Sequence, residues 1–182
     1  MRRKHIFLTG FMGSGKSTVG PPLANALGFM FVDLDEEIEQ REGSSIEDIF
    51  KGAGEAHFRS LERTYLQRFI EDGETVFALG GGTITIEGLI EYLKINGVLV
   101  YLKSDADELV PRLRGHTHRP LLQGKEGQAL GEAELHRKID SLIRQREVYY
   151  RQADVIVETS RQPVEAVVES VLNALAEKIK KK

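Results

Sequence analysis

Short apolar runs alternate along the chain with longer segments whose apolar residues are spaced three or four positions apart. The runs have the unbroken apolar character of strands covered on both faces, and they lie at 6–8, 30–32, 76–79, 98–102 and 155–157. Helical spacing follows the first run, at Val19, Leu23 and Leu27. This alternation predicts an α/β fold, a single three-layer domain with a five-stranded parallel sheet and helices on both faces.

Two segments depart from this regular pattern. Pro21 and Pro22 lie inside the first predicted helix, where a proline removes a hydrogen-bond donor and costs about 3 kcal/mol. We therefore expect a kink or an irregular turn there. From 114 to 131 the apolar pattern is lost, and a long aperiodic loop in a compact domain is commonly a lid over a site. We predict one domain, 1–182, with a mobile lid at 114–131.

The strongest chemical signal is in residues 10–18, between the first predicted strand and helix. They read Gly-Phe-Met-Gly-Ser-Gly-Lys-Ser-Thr and fit the G-x-x-x-x-G-K-S pattern of a phosphate-binding loop. Such a loop directs backbone N–H groups at phosphates, while its lysine reaches the β- and γ-phosphates and its serine hydroxyl ligates Mg²⁺. The chain is therefore predicted to bind a nucleoside triphosphate through Gly13, Ser14, Gly15, Lys16, Ser17 and Thr18.

Composition limits the classes of partner and chemistry. The net charge of −3 argues against nucleic acid as the main partner. The chain contains no cysteine, which excludes a disulfide, a thiolate nucleophile and a Cys-ligated metal and suits a cytoplasmic protein. No apolar stretch is long enough to span a bilayer, so we expect no membrane partner. His116 and His118 have no supporting ligand cluster in the sequence and are interpreted as loop residues.

Two acidic residues follow the second predicted strand. Asp33 and Asp35 point the same way if the strand's alternation continues, towards the edge of the sheet that carries the phosphate loop. An acidic residue there suits the binding of a metal ion. The alternative is a helix N-cap, since Ile38 begins a short helical pattern. The two interpretations are balanced for Asp35 alone, whereas the pair beside a phosphate loop favours function.

Three further motifs have both a functional and a structural interpretation. Arg59 has Glu55 four residues before it and Glu62 three after it, and this spacing alone favours a surface ion-pair ladder. The glycines at 80–82 end a buried strand, where they allow a small molecule to approach the backbone, or else form a flexible loop. Arg119 lies in the predicted lid and is equally compatible with a solvated charge.

These motifs together resemble the shikimate kinase family, and the resemblance covers nearly the whole chain. Residues 33–39 and 54–62 carry its most specific part, followed in order by the glycines at 80–82 and by Arg-Pro-Leu-Leu at 119–122. Arg146, four residues before Tyr150, is the last match. The resemblance implies a small P-loop kinase, similar to nucleoside monophosphate kinases, that is a monomer and uses ATP with one Mg²⁺.

On the donor side, the resemblance implies roles for five residues. Lys16 and Arg119 would contact the transferring phosphoryl group, Arg119 moving in with the lid. Arg114 would lie against the adenine. Ser17 would ligate Mg²⁺, and Asp33 would hold the hydration shell of the ion through water.

On the acceptor side, the resemblance implies a pocket for shikimate. Asp35 would hydrogen-bond the hydroxyls of shikimate and is the candidate base. Arg59 and Arg146 would clamp its carboxylate, with Arg144 as the fallback for Arg146. The backbone at Gly80, Gly81 and Gly82 would close the pocket.

The resulting hypothesis is a kinase that transfers the γ-phosphoryl group of ATP to the 3-hydroxyl of shikimate, in aromatic amino acid biosynthesis through chorismate. One alternative is another small-metabolite or nucleotide kinase on the same fold. An acceptor without a carboxylate would leave Arg59 and Arg146 unexplained. A second alternative is a nucleotide-binding switch without catalysis, which is weakened because no Asn-Lys-x-Asp guanine-reading motif is present.

Overall fold

The computed structural model describes residues 5–71, 73–114, 120–122, 128 and 130–180. In this part of the chain five strands form one sheet, in which every neighbouring pair is parallel. The spatial order is β2-β3-β1-β4-β5, which confirms the predicted five-stranded parallel sheet. The strands are β1 (His5–Thr9), β2 (Met30–Asp33), β3 (Thr75–Ala78), β4 (Gly97–Lys103) and β5 (Val155–Glu158).

Seven α-helices connect and cover these strands in the described residues. Short 3₁₀ turns lie at Thr83–Thr85 and Pro120–Leu122. The helices are α1 (Lys16–Leu27), α2 (Leu34–Glu42), α3 (Ile46–Phe69), α4 (Leu89–Asn96), α5 (Ala106–Leu113), α6 (Glu132–Tyr150) and α7 (Val164–Lys180).

The alternating side chains of β1 contribute to two separate cores. Phe7 belongs to a cluster with side chains of α2, α3 and α4, whereas Ile6 and Leu8 belong to a cluster with side chains of α1 and α7. Both faces of the sheet are therefore buried under helices, and the domain has three layers. Burial on both faces explains why the three central strands, β1, β3 and β4, appear in the sequence as unbroken apolar runs. The edge strands are less covered, and Met30 of β2 and Ile156 of β5 are exposed.

The two prolines of α1 do not end the helix, which runs from Lys16 to Leu27. Their side chains are exposed, as are Ser17 and Thr18, whose carbonyl groups would accept the missing hydrogen bonds. The two prolines therefore lie on the solvent side of α1. The sequence-based expectation of an irregular turn is therefore not realised as an interruption of α1.

Helix α3 contains a break at Gly54, where φ is 81° and ψ is 173°. This break separates a short helical segment, which begins at Ile46, from a longer one, which ends at Phe69. The N-cap of α3 is Ser45, whose hydroxyl oxygen accepts a hydrogen bond from the Asp48 N–H at 3.1 Å. Ser44 and Glu47 also have the Ser-x-x-Glu spacing of a capping box, which predicts a cap one residue earlier. Two adjacent serines, each with an acidic residue three positions later, do not distinguish these registers.

The last helix returns to the amino ends of the strands. Lys178 Nζ lies 2.9 Å from Asp154 Oδ1, just before β5 begins. The far end of α7 therefore lies at the edge of the sheet where β1 also starts. No helix in the described ranges is sufficiently long and apolar to cross a membrane.

Candidate active site

The loop between β1 and α1, residues 10–15, has the backbone of a phosphate-binding loop, and we call it the phosphate cradle. Gly10, Gly13 and Gly15 have φ values of 147°, 79° and 96°, a region in which side chains other than glycine are strained. A Cβ on Gly10 would lie 2.5 Å from the carbonyl oxygen of Leu102. The hydroxyl of Ser14 is buried and has no hydrogen-bond partner among the described residues. A phosphate oxygen would supply the partner that such a buried group requires.

Lys16 is held directly over this loop. Its ammonium group is buried and donates to the carbonyl oxygens of Gly10 at 2.9 Å and Phe11 at 3.0 Å. The side chain thus folds back across the cradle. A cation in this position, together with the amino end of α1, favours the binding of an anion.

Ser17 and Asp33 meet at the edge of the cradle. Ser17 Oγ donates to Asp33 Oδ2 at 2.5 Å, and Asp33 Oδ1 accepts from the Asp35 N–H at 3.1 Å. Asp33 therefore caps α2, as the N-cap interpretation expects, and it also contacts the phosphate loop through Ser17. A role of Asp33 at a metal ion stays a prediction.

The oxygen atoms of Ser17 and Asp33 suit Mg²⁺, which is bound by few protein ligands together with phosphate and water. No group of three or more His, Asp or Glu side chains suited to a metal ion occurs in the ranges that the structure describes. The donor set therefore fits a metal ion that a nucleotide brings with it, rather than one in a cage of protein ligands.

A cavity of about 310 Å³ opens beside the phosphate cradle. Ser17 and Asp33 line it at one end, and the aromatic rings of Phe50 and Phe58 contribute an apolar wall. The structure brings every described residue predicted for the acceptor to this cavity, namely Asp35, Arg59, Gly80, Gly81, Gly82 and Arg146.

Arg59 is oriented by two carboxylates of its own helix. Its Nη1 donates to Glu62 Oε2 at 2.5 Å and its Nη2 to Glu55 Oε1 at 2.8 Å. The ion-pair ladder suggested by the spacing is thus present, but Glu62 is 0% exposed and Arg59 faces the cavity. The ladder therefore holds a guanidinium at the site and is not a surface feature alone.

Glu62 is itself held by a second side chain. Its Oε1 accepts a hydrogen bond from the hydroxyl of Thr83. Burial raises the pKa of the Glu62 carboxyl to about 7, although the charge of Arg59 and the hydrogen bond from Thr83 oppose this shift. Sequence spacing alone predicted only that Glu62 pairs with Arg59 on the surface.

Gly80, Gly81 and Gly82 form a segment that we call the glycine loop. A Cβ on Gly80 would lie 2.8 Å from Asp35 Oδ1, and a Cβ on Gly82 would lie 2.6 Å from Arg59 Cζ. The glycines therefore leave space for the charged side chains of the site. This is a more specific reason for glycine than the close approach of a small molecule.

Arg146 reaches the glycine loop from α6. It is 8% exposed, and its Nη1 donates to the carbonyl oxygen of Gly81 at 3.0 Å. Arg144 has a side chain that is 79% exposed and pairs with Asp140 at 3.0 Å. The geometry thus favours Arg146 over Arg144 as the residue that faces the cavity.

The candidate contact to adenine is less well placed. The side chain of Arg114 is 71% exposed and pairs with Glu132 Oε2 at 2.9 Å. Arg112, which sequence reasoning did not select, donates to the carbonyl oxygen of Gly13 at 3.1 Å. Its pairing with Glu108 four residues earlier is visible in the sequence, but that spacing does not reveal the contact with the loop.

Most of the predicted lid, residues 114–131, lies outside the described residues. Arg119, His116 and His118 are among them, so their predicted positions remain predictions. Within the described part, Leu121 lines the cavity and Leu122 packs into the core beside α5 and α6.

Comparison with known proteins places this arrangement in a family. The model of a family described as shikimate kinase matches residues 12–176. The chain belongs to the shikimate kinase family. The family comprises ATP-dependent kinases, which agrees with a phosphate cradle beside an acceptor cavity.

Individual relatives agree over most of their length. Shikimate kinase from Chlorobaculum tepidum is 44% identical over 176 residues, which cover 97% of this chain and 92% of the relative. Shikimate kinase from Chlorobium chlorochromatii is 46% identical over 166 residues, covering 91% and 87%. A solved structure of shikimate kinase from Acinetobacter baumannii in complex with shikimate has a TM-score of 0.87 and 33% identity, covering 97% of this chain and 95% of that one.

Proposed function

We propose that the protein transfers the γ-phosphoryl group of ATP to the 3-hydroxyl of shikimate, giving ADP and shikimate 3-phosphate, in chorismate biosynthesis. The observation that carries this proposal is the convergence of Asp35, Arg59 and Arg146 on one cavity beside the phosphate cradle. Membership of the shikimate kinase family supports the same reaction.

The donor side of the proposal concerns the nucleotide. The backbone and side chains at Gly13, Ser14, Gly15 and Thr18 would surround the phosphates, with Lys16 over the loop. Ser17 would ligate Mg²⁺ and Asp33 would act through water, and the ion would neutralise charge on the phosphate oxygens. Arg112 is a second candidate for the nucleotide beside Arg114, because it contacts Gly13. Arg119 remains the predicted contact to the transferring phosphoryl group.

The acceptor side explains the two arginines. A guanidinium binds a planar carboxylate through paired N–H groups, and Arg59 and Arg146 provide two guanidinium groups around one cavity. Anchoring the carboxylate would direct a ring hydroxyl towards Asp35 and the phosphate cradle. Asp35 would orient that hydroxyl and accept its proton as the new P–O bond forms. Phosphoryl transfer depends mainly on such positioning and on the neutralisation of oxygen charge.

A coupled assay of ADP release tests the proposal. We expect turnover with Mg²⁺, ATP and shikimate, and at least a hundredfold lower kcat/KM when the carboxylate of shikimate is replaced by a methyl ester. Folded protein that shows no shikimate-dependent release of ADP would reject the assignment. Arg59→Lys should raise the KM for shikimate at least tenfold, whereas the matched control Arg63→Lys, an exposed residue of α3, should leave it unchanged.

We also propose that the enzyme acts as a monomer in the cytoplasm. The absence of cysteine from the sequence supports a reducing compartment.

A further inference from the structure

The carbonyl group of Gly81 accepts hydrogen bonds from two side chains of α6. Arg146 Nη1 donates to it at 3.0 Å, and the Tyr150 hydroxyl donates to it at 2.6 Å. Both donors stand four residues apart and therefore on the same face of the helix. A carbonyl oxygen only accepts, so each side chain must use an N–H or O–H here.

Fixing this carbonyl also fixes the geometry of the acceptor pocket. The peptide unit is planar, so the direction of the Gly81 C=O sets the opposite direction of the Gly82 N–H. Gly82 lies directly against the guanidinium of Arg59, and Gly80 lies against Asp35. A rotation of the Gly81 peptide would therefore disturb the groups on both sides of the glycine loop.

The two donors are not equivalent. Arg146 is the group proposed to bind the substrate carboxylate, so its hydrogen bond to Gly81 competes with that role. Tyr150 is 0% exposed and its ring stacks on Tyr101, with ring centroids 4.8 Å apart. It is therefore anchored in the core and does not turn towards the cavity.

We propose that Tyr150 is a positioning residue for the acceptor: its hydroxyl holds the Gly81 carbonyl in place and so releases Arg146 to bind the carboxylate of the substrate. Burial raises the pKa of the Tyr150 phenol to about 12, which keeps the group protonated and able to donate throughout the neutral range. This inference rests on the proposed function and adds to it a residue that does not line the cavity.

Replacing Tyr150 by phenylalanine tests the proposal because it removes the hydroxyl and keeps the stacked ring. We expect the KM for shikimate to rise about five- to tenfold, as for the loss of one hydrogen bond. The kcat and the KM for ATP should stay within about twofold, because binding of the acceptor alone is weakened.

Tyr101→Phe is the matched control. It removes a buried hydroxyl from the same stacked pair, but that hydroxyl bonds to Glu147 at 3.1 Å and not to the glycine loop. We expect its KM for shikimate to equal that of the wild type. An unchanged KM in Tyr150→Phe would overturn the proposal. An equal rise in the KM for shikimate in both variants would also overturn it, and so would an equal rise in the KM for shikimate and the KM for ATP. Either result would indicate a general loss of structure.

A second measurement needs no substrate and does not require Tyr150→Phe to fold. Hydrogen exchange of the amides at 80–83 reports whether the glycine loop is held. In Arg146→Met, where Tyr150 remains, we expect exchange rates within about threefold of the wild type. A tenfold or larger acceleration would show that Arg146 holds the loop and would overturn the proposal. Absence of shikimate turnover by the wild type would instead reject the proposed function.

Discussion

At the residue scale, Asp33 and Asp35 divide two tasks between neighbouring carboxylates. Asp33 is buried, and its two oxygen atoms bond to Ser17 and to the Asp35 N–H. It therefore belongs to the phosphate cradle and to the cap of α2. The side chain of Asp35 lies two residues further on, in the wall of the acceptor cavity. This division is why a change at each residue should give a different kinetic result.

Asp35→Asn should abolish most turnover while preserving the binding of ATP. The amide keeps the size of the side chain but cannot accept a proton as a carboxylate does. Loss of a general base typically lowers the rate by a factor of about 10² to 10⁴. Steady-state kinetics with shikimate and calorimetric titration with an ATP analogue check this prediction. Near-normal kcat in the variant would contradict a catalytic role for Asp35.

Glu62 should make stability depend on pH in a definite direction. Burial raises its pKa from 4.5 to about 7 in the folded protein, so the folded state binds more protons than the unfolded state between these values. The contribution of Glu62 is therefore fully present at low pH and is lost as pH rises from 4.5 to 7. Above pH 7 the free energy of unfolding should be lower by at most about 3 kcal/mol.

Denaturant unfolding at pH 5 and pH 8 measures this effect. Between pH 5 and pH 8, the free energy of unfolding should fall more for the wild type than for Glu62→Gln, because glutamine does not titrate. Glu91→Gln, on the exposed side of α4, serves as the control and should follow the wild type. Parallel pH profiles for wild type and Glu62→Gln would show that Glu62 is not the titrating group.

At the scale of elements, a side chain at position 82 of the glycine loop is expected to displace Arg59. A Cβ there would overlap the guanidinium of Arg59. Gly82→Ala should displace that group and raise the KM for shikimate about 10- to 100-fold, with the KM for ATP little changed. Gly52→Ala is the control, since a Cβ at Gly52 meets nothing within 4 Å. Equal kinetics of the two variants would argue against Arg59 as an acceptor contact.

The start of α3 offers a direct choice between two caps. Ser45→Ala removes the acceptor for the Asp48 N–H and should lower the free energy of unfolding by about 1 kcal/mol. Ser44→Ala, one residue earlier, should be close to neutral. Thermal or denaturant unfolding of the two variants measures this difference. A larger effect at Ser44 would restore the cap that the sequence spacing suggests.

The same elements show what sequence can predict and why. The strands and helices were predictable because a sheet buried on both faces leaves unbroken apolar runs between amphipathic segments. The phosphate loop was predictable because its chemistry is contained in nine consecutive residues. The contacts of Tyr150 and Arg112 were not, because they join positions 69 and 99 residues apart. Local spacing carries no information about such pairs.

At the scale of the whole molecule, the strand order brings the site together. β2, β3 and β1 are adjacent in the sheet, and their carboxyl ends lead into Asp33, the glycine loop and the phosphate loop. Ligands of open α/β sheets bind at this edge. Donor and acceptor groups are therefore neighbours even though they are far apart in sequence.

The protein should be a monomer in solution. Met30 and Ile156 are exposed large apolar residues, but they lie on β2 and β5, the two opposite edge strands. These two side chains therefore do not join into one apolar patch. Of the other exposed large apolar residues in the described ranges, Ile95 lies on α4, and Val148 and Tyr149 lie on α6. Size-exclusion chromatography with light scattering should give a mass near 20.4 kDa at micromolar concentration. A mass near twice that value would contradict the prediction.

The return of α7 to the start of the sheet has a practical consequence for handling the protein. β1 begins at the amino edge of the sheet, and α7 ends at the same edge beside Asp154. The acceptor cavity opens at the opposite, carboxyl edge. A purification tag, a fluorophore or a surface anchor joined ahead of β1 or behind α7 would thus be attached on the side of the sheet opposite the acceptor cavity. When the enzyme is immobilised through such an attachment, its acceptor cavity would face the solution.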